Sequence, residues 1–207
     1  MKRGKFDIVF DGPHFASWRI KHLNHTAVAK LPGTLQFHLV AMAANDRINM
    51  PRDMGAKKVC VIPPPNLSAM LMLTRLDQDA REPVIKAAKG GMKGVYKGLK
   101  SGRCETAMLR SFFYNKKLNE QQRSELKIIY SSPVLPNQMI TVGKRIQHAD
   151  LEKITESLIN GEGVVASQNI VKRFAGKQAK ALVEVQENEY AGYSVLPEEV
   201  VMGWKKR

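Results

Sequence analysis

The sequence predicts an α/β protein built around a parallel sheet, and three observations carry that expectation. Short β-branched or aromatic runs alternate with helix-period stretches from residue 6 to residue 109. Their order, strand–helix–strand–helix–strand, is that of right-handed βαβ units. The chain has 207 residues, 43% hydrophobic and 25% charged, enough for one or two ordinary domains and unlike a disordered or collagen-like composition.

The first strand is predicted over residues 6–10 and ends at the turn Asp11-Gly12-Pro13. A helix follows from Phe15, with Trp18, Ile20 and Leu23 for burial and Pro32-Gly33 as its stop. Residues 35–40 alternate as a half-buried strand, and Asp53 is placed as the N-cap of one helical turn. Residues 57–62 form the third strand, stopped by Pro63-Pro64-Pro65-Asn66. The apolar run 67–73 then reads as a helix that Asn66 or Ser68 can cap. A strand at 83–85, a helix with apolar face Met92, Val95, Tyr96 and Leu99 closed by Gly102, and a strand at 105–109 complete the βαβ pattern. Residues 127–130 and 139–142 add two strands around Pro133 and Pro136. Asp150 is placed as the cap of a helix carrying Leu151, Ile154 and Leu158, and residues 164–174 and 179–185 as shorter helical pieces.

Thirty-three Lys and Arg against 19 acidic residues give a net charge of +14. From residue 151 onward eight basic residues meet eight acidic ones, so the whole excess lies in residues 1–150. A basic body suggests an anionic partner: nucleic acid, an acidic membrane surface or a small anion. No apolar run approaches the ~18 residues of a membrane span. Met1-Lys2-Arg3-Gly4-Lys5 has the charge of a signal peptide's first region, but the apolar stretch after it is short, contains Asp7 and lacks a cleavage site. Aromatic residues do not interleave with the basic ones, which disfavours a single-strand nucleic-acid groove. Lys86, Lys89, Lys93, Lys97 and Lys100 would share one stripe in a continuous helix; the four glycines between residues 90 and 98 argue against continuity and for solvated lysines.

The candidate chemistry is anion binding. At Pro65-Asn66-Leu67-Ser68 a strand opens into a helix, which puts backbone N–H groups and the positive end of a helix dipole at a sheet edge. The same residues can equally serve only as a cap. Arg110-Ser111 ends the strand at 105–109 on that same edge, where a guanidinium offers a rigid fork for oxyanions, with Tyr114 one turn later. His14, after Gly12-Pro13, holds the equivalent position behind the first strand. His22 and His25 are spaced for a metal, but no carboxylate or cysteine completes a site. No Ser/His/Asp set or acidic pair implies catalysis, and neither GxGxxG nor a P-loop is present, so neither an enzyme nor a cofactor is expected. Cys60 and Cys104 allow either a disulfide, if their strands are neighbours, or two buried thiols.

Several segments resemble the phosphate/phosphite/phosphonate-binding (PhnD-like) family of periplasmic solute-binding proteins. Residues 4–14, Gly-Lys-Phe-Asp-Ile-Val-Phe-Asp-Gly-Pro-His, resemble its GKxD(I/V)xxxGP segment, and Asp53-Met54-Gly55-Ala56-Lys57-Lys58-Val59 its DLxGKxV segment. Gly102-Arg103-Cys104-Glu105-Thr106-Ala107 resembles GxVDAA, Val134-Leu135-Pro136-Asn137-Gln138 resembles xIPNxx, and Glu189-Tyr190 a C-terminal signature. Pro65-Asn66-Leu67-Ser68 stands where the family has a Ser/Thr-rich turn on the ligand.

The resemblance implies a type II periplasmic-binding fold with two lobes of mostly parallel sheet and flanking helices. The expected lobes are residues 1–43 with 132–207 and residues 44–131, closing on a ligand around a hinge. The family's GKxD strand is ordinarily preceded by a signal peptide and two βα units, so the first lobe is expected to be incomplete. The implied function is the solute-binding component, or a remnant of one, of a periplasmic ABC importer, with a membrane permease as partner. It would hold a small anion through Pro65, Asn66, Leu67, Ser68, Arg110, Ser111, Tyr114, Gly12, Pro13, His14 and Asn137 in the interlobe cleft. The alternatives are a ligand-sensing domain of a signalling protein and a basic anion- or nucleic-acid-binding protein.

Overall fold

A computed structural model describes residues 6–75, 83–176, 178–201 and 204–205. Gly4 and Lys5 of the first motif lie outside them. Contacts divide the chain into two units, residues 1–34 with 135–195 and residues 35–134 with 196–207. The first unit opens with β1 (Ile8–Asp11), α1 (Pro13–Leu23) and β2 (Thr26–Lys30), and the chain leaves it at β3 (Thr34–Leu35). The second unit runs through β4 (Phe37–Met42), β5 (Lys58–Val61), α2 (Leu67–Arg75), β6 (Val84–Ala87), α3 (Gly91–Lys100), β7 (Thr106–Arg110), α4 (Ser111–Lys117), α5 (Glu120–Ser124) and β8 (Leu126–Ser131). The chain returns through β9 (Leu135–Pro136) to β10 (Met139–Val142), α6 (His148–Ile159) and α7 (Gly163–Phe174). It ends with α8 (Val195–Glu199) and the hairpin β11 (Val200–Val201) and β12 (Trp204–Lys205).

The first unit is a three-stranded antiparallel sheet in the order β1-β10-β2. Alternation along β10 sorts its two faces. Ile140 and Val142 join Val28, Leu31, Val171 and Leu182 beneath α6 and α7, while Met139 packs with Ala16 of α1 and with Tyr190. Pro13 occupies the first turn of α1, where a missing N–H costs nothing. The helix ends at Leu23 rather than at Pro32, because Asn24 takes the left-handed conformation (φ 51°). β2 therefore lies inside the stretch expected to be helical. The buried face of α1 is Pro13, His14, Ala16, Ser17 and Arg19; Trp18, Ile20 and Leu23 are only half-buried. Arg19 is 1% exposed and is neutralised by an ion pair with Asp11 at the end of β1. Burial still pulls its guanidinium down to about 10.

Two further expectations change in this unit. Gln147, not Asp150, is the N-cap residue of α6; Asp150 sits in the first turn, where its charge suits the dipole. Residues 179–185 are not helical, since Lys30 and Val183 exchange two backbone hydrogen bonds of 2.9 and 2.8 Å as an antiparallel bridge.

The second unit is a five-stranded sheet in the order β6-β5-β7-β4-β8. β6, β5 and β7 are parallel, whereas β4 pairs antiparallel with β7 and β8. The sheets are thus mixed and antiparallel, not mostly parallel, because only the two βαβ crossovers impose parallel pairing. The nine residues 35–43, expected in the first lobe, fall in the second unit. β4 is buried along nearly its whole length and ladders on both sides, as an interior strand must. Residues 132–134 and 196–207 also group with this unit instead of the first.

One face of the sheet, carrying Val40, Cys60, Ala107 and Leu109, is covered by Val95, Tyr96 and Leu99 of α3, with Phe113 and Tyr114 of α4 against it. Cys60 and Cys104 are disulfide-bonded with Cα atoms 5.6 Å apart, which resolves the two alternatives open in the sequence. α3 is one unbroken helix in spite of its glycines. Asp53 is the third residue of a 3-10 turn whose N-cap is Met50, and its carboxylate accepts from the N–H groups of Asn49 and Met50. These two bonds hold Asp53 below the ordinary carboxylate value. Among the described residues no helix is long and apolar enough to cross a membrane.

Candidate functional site

In the second unit the register pairs Val59 with Thr106 and Cys60 with Ala107 in parallel, so β5 and β7 end at the same sheet edge. Pro65, Asn66, Leu67 and Ser68 leave that edge from β5, and Arg110, Ser111 and then Tyr114 leave it from β7. β6 ends there too, followed by Gly90 and Gly91 at positive φ (84° and 63°) and the start of α3. Right-handed crossovers from β5 outward to β6, and from β6 back to β7, put α2 and α3 on opposite faces. α4 packs on the α3 face. The connections after the neighbouring strands β5 and β7 therefore diverge to opposite faces, the arrangement that opens a ligand crevice at the carboxyl ends of strands.

The hydrogen bonds decide which groups can meet a ligand. Asn66 Oδ1 accepts from the Ser68 N–H at 3.0 Å and the Ser68 hydroxyl at 2.7 Å, and the Asn66 carbonyl accepts from the N–H groups of Ala69 and Met70. Ser68 is fully buried. Of the two residues weighed as the cap, Asn66 takes the role; Ser68 lies within α2, with its hydroxyl committed to Asn66. With Oδ1 turned into the helix, the planar amide aims its Nδ2 donors the other way. At the second junction the Arg110 N–H donates to Met92 Sδ at 3.5 Å and the Ser111 N–H to the Gln36 carbonyl at 2.7 Å. These amides bind the protein itself, which leaves the Arg110 side chain as the charged group of the junction. Arg110 is half-buried, and burial lowers its guanidinium from the usual value without removing the charge at neutral pH.

Two residues at this edge were missed in the sequence. Met92 bridges the starts of α3 and α4; the Gly90-Gly91 pair behind a short strand is the signal that could have marked it. His38 is one residue beyond Phe37, the partner of Arg110 in the β4–β7 ladder. It is 7% exposed, its Nδ1 lies 2.9 Å from Ser131 Oγ, and its ring meets Tyr114 edge-on with centroids 5.6 Å apart. Burial pushes His38 below its ordinary value of about 6.5. Between that depressed value and 6.5 the unfolded chain binds more protons than the folded one, so stability falls as pH drops through this window and is complete above it. Melting temperatures at pH 7.5 and 5.0 should separate in the native chain and separate less in His38→Asn. Equal pH slopes would exclude the effect.

The remaining expected residues lie in the first unit. Gly12 is the N-cap of α1 with Pro13 next to it, and His14 is buried beside Phe15 with ring centroids 4.4 Å apart. Asn137 is 1% exposed and fully engaged in its own unit. Its Nδ2 donates to the Pro32 carbonyl at 2.9 Å, its Oδ1 accepts from the Gln138 N–H, and its carbonyl accepts from the Tyr190 hydroxyl. His22 stacks on Trp18, whereas His25 lies past the end of α1 with Nδ1 3.2 Å from Thr141 Oγ1, so the two do not share a helix face. The first unit also holds a cavity of about 560 Å³ between α1, the start of β2 and residues 185–194; none of the expected ligand residues lines it.

Comparison with known proteins agrees with this arrangement. The structure matches XAC2383 from Xanthomonas citri bound to ATP with a TM-score of 0.73 at 12% identity, covering 96% of this chain and 82% of that one. It matches PhnD1 from Prochlorococcus marinus in complex with methylphosphonate with a TM-score of 0.67 at 11% identity, covering 95% and 79%. A binding-protein component of an ABC phosphonate transporter from Pseudomonas aeruginosa matches with a TM-score of 0.58 at 13% identity, covering 94% and 68%. At these identities the likeness shows the fold, the two-lobed α/β fold of type II periplasmic binding proteins. No curated protein matches the sequence. The family model described as "ABC transporter, phosphonate, periplasmic substrate-binding protein" matches residues 1–190, nearly the whole chain, and the protein belongs to that family.

Proposed function

We propose that the chain binds a small phosphorus oxyanion, a phosphonate or phosphate, at the C-terminal sheet edge of its second unit, as the solute-binding component of an ABC importer. The observation that carries this reading is the meeting, at one edge, of the Arg110 guanidinium with the starts of α2 and α3, between strands whose connections diverge. Arg110 supplies charge and a planar fork, Asn66 Nδ2 a neutral donor, and the dipole of α2 a favourable field. Tyr114, packed on His38, walls the α4 side. In the first unit the Gly12-Pro13-His14 turn is the equivalent strand-to-helix junction. The partner of the loaded protein would be the importer's membrane permease. The Cys60–Cys104 disulfide supports an oxidising compartment such as the periplasm.

Isothermal titration with methylphosphonate, phosphate, sulfate and ATP tests the reading. Saturable heat with methylphosphonate or phosphate is expected, and a ligand at 100 times its Kd should stabilise the fold by about 2.7 kcal/mol. Heat with ATP alone would move the ligand class to nucleotides. A folded sample giving neither heat nor a thermal shift with millimolar anions would reject oxyanion binding.

A further inference from the structure

We infer that the outer edge of β2 takes up an extended peptide in which aromatic and basic residues alternate, added as a fourth strand to the sheet of the first unit. β2 is an edge strand in the order β1-β10-β2. Its outer side is bridged at Lys30 by Val183, and Val185 then turns to the face of Ala16 and Tyr190. Among the described residues no backbone hydrogen bond reaches Thr26, Ala27 or Val28 from that side. No lysine, proline or acidic residue in these three positions blunts the open edge. None of these residues is among those proposed to hold the oxyanion.

Cavities on both faces of the sheet meet at this edge. The one of about 560 Å³ lies on the α1 face and reaches Thr26 and Ala27. A second, of about 550 Å³, lies on the α6 face and reaches Thr26, Ala27 and Val28. The faces are distinct, since Ala27 packs with Ala16 and Tyr190, and Val28 with Leu151. Successive side chains of a strand point to opposite faces, so a chain lying along the edge sends them by turns into one cavity and the other. A compact ligand would fill one cavity and leave the backbone row between them unused.

The linings select the side chains. The α1-side cavity has apolar walls at Ile20, Ala27 and Val185 and two hydroxyls, Ser17 and Ser194. Each serine is 5% exposed, and among the described residues neither hydroxyl makes a hydrogen bond. An aromatic ring with a polar tip, as in tyrosine, suits both features. The α6-side cavity carries Leu151 with the exposed carboxylates of Glu152 and Glu156, one helical turn apart; Glu152 lies 3.5 Å from His148 Nδ1. A lysine or arginine can lay its stem on Leu151 and bring its charge to these carboxylates. On a chain of net charge +14, this local acidity admits a basic partner where the chain as a whole repels one.

Fluorescence anisotropy of a labelled, end-capped peptide Tyr-Lys-Tyr-Lys-Tyr-Lys with the whole chain tests it. Saturable binding is expected, and weaker binding of the block sequence Tyr-Tyr-Tyr-Lys-Lys-Lys, which has the same charge but cannot sort its side chains between two faces. Glu152→Gln with Glu156→Gln should weaken binding about tenfold, at roughly threefold per exposed ion pair. Glu120→Gln with Glu162→Gln, the same charge change elsewhere, should not. Ser17→Ala should weaken the tyrosine peptide and spare its phenylalanine counterpart. Bound peptide should also slow amide hydrogen exchange over residues 25–31. No binding at millimolar peptide overturns the inference, and equal affinity for the alternating and block sequences overturns it by making charge the cause. Binding without slowed exchange at β2 overturns the placement. Tyramine binding as tightly as the peptide overturns it in favour of a small-molecule cavity. A concentration-dependent dimer that protects the same amides without peptide overturns it in favour of a second copy.

Discussion

Removing the Cys60–Cys104 bridge should lower the stability of the second unit by about 4 kcal/mol, through the loop entropy restored to the unfolded chain. The bridge spans 44 residues of sequence, a loop that contains α2, β6 and α3. Every strand-to-helix connection of the candidate edge except the one after β7 lies within it. Both cysteines are almost fully buried, Cys60 at 0% and Cys104 at 2% exposure, so reductant reaches the bond only on unfolding. The measurement is therefore thermal melting of protein refolded with and without reductant, together with the Cys60→Ala, Cys104→Ala double variant. A fall in melting temperature on the order of 20 °C is expected for a unit of this size. Thiol titration of the unfolded, unreduced chain should find no free cysteine. A melting temperature unchanged within a few degrees would mean that the sheet and the packing of α3 hold the unit without the bridge.

That bridge shows where sequence reasoning stops. Cys60 and Cys104 could be placed on two strands, but only the parallel pairing of β5 with β7 makes them neighbours. The βαβ core was legible because its signals are local: β-branched runs, Pro63-Pro64-Pro65, an asparagine cap, and an apolar face every three to four residues. β4 was given to the wrong unit because a strand's sequence records that it is buried and not which strands flank it. β2 was hidden behind α1, since a single left-handed asparagine is enough to end a helix that composition would let continue. The helix with apolar face Met92, Val95, Tyr96 and Leu99 was legible, and so was the break in the lysine stripe: Lys86 lies in β6 and Lys89 precedes α3. What the sequence did not show is why α3 keeps its glycines: a Cβ at Gly94 would meet the Lys89 carbonyl and one at Gly98 the Cys60 Sγ. At the candidate edge, Arg110 and Asn66 were found as residue types suited to anions, whereas Met92 was marked only by the Gly90-Gly91 pair before it, and His38 carries no local signal and reaches the edge through the β4–β7 ladder.

Arg110→Ala should weaken oxyanion binding about 10- to 100-fold, the range of a lost hydrogen bond to a charged group. Its backbone N–H is held by Met92 Sδ and its side chain makes no capping bond to α4, so truncation removes charge and fork while leaving the start of the helix in place. Arg110→Lys separates the two contributions: it keeps the positive charge and loses the planar pair of donors, so recovery to near-native affinity would assign the effect to charge alone. Asn66→Ala makes the contrasting case. Its Oδ1 caps α2 and holds the buried Ser68 hydroxyl, so the variant should lose about 1 kcal/mol of stability, with a smaller loss of affinity than Arg110→Ala. Because the Arg110 contribution is charge–charge in character and the edge is half-open, the native affinity should also fall with salt, and the Arg110→Ala affinity less steeply. Native-like binding by Arg110→Ala, with the native salt slope, would remove Arg110 from the site and leave the Asn66 amide and the helix starts to hold the anion.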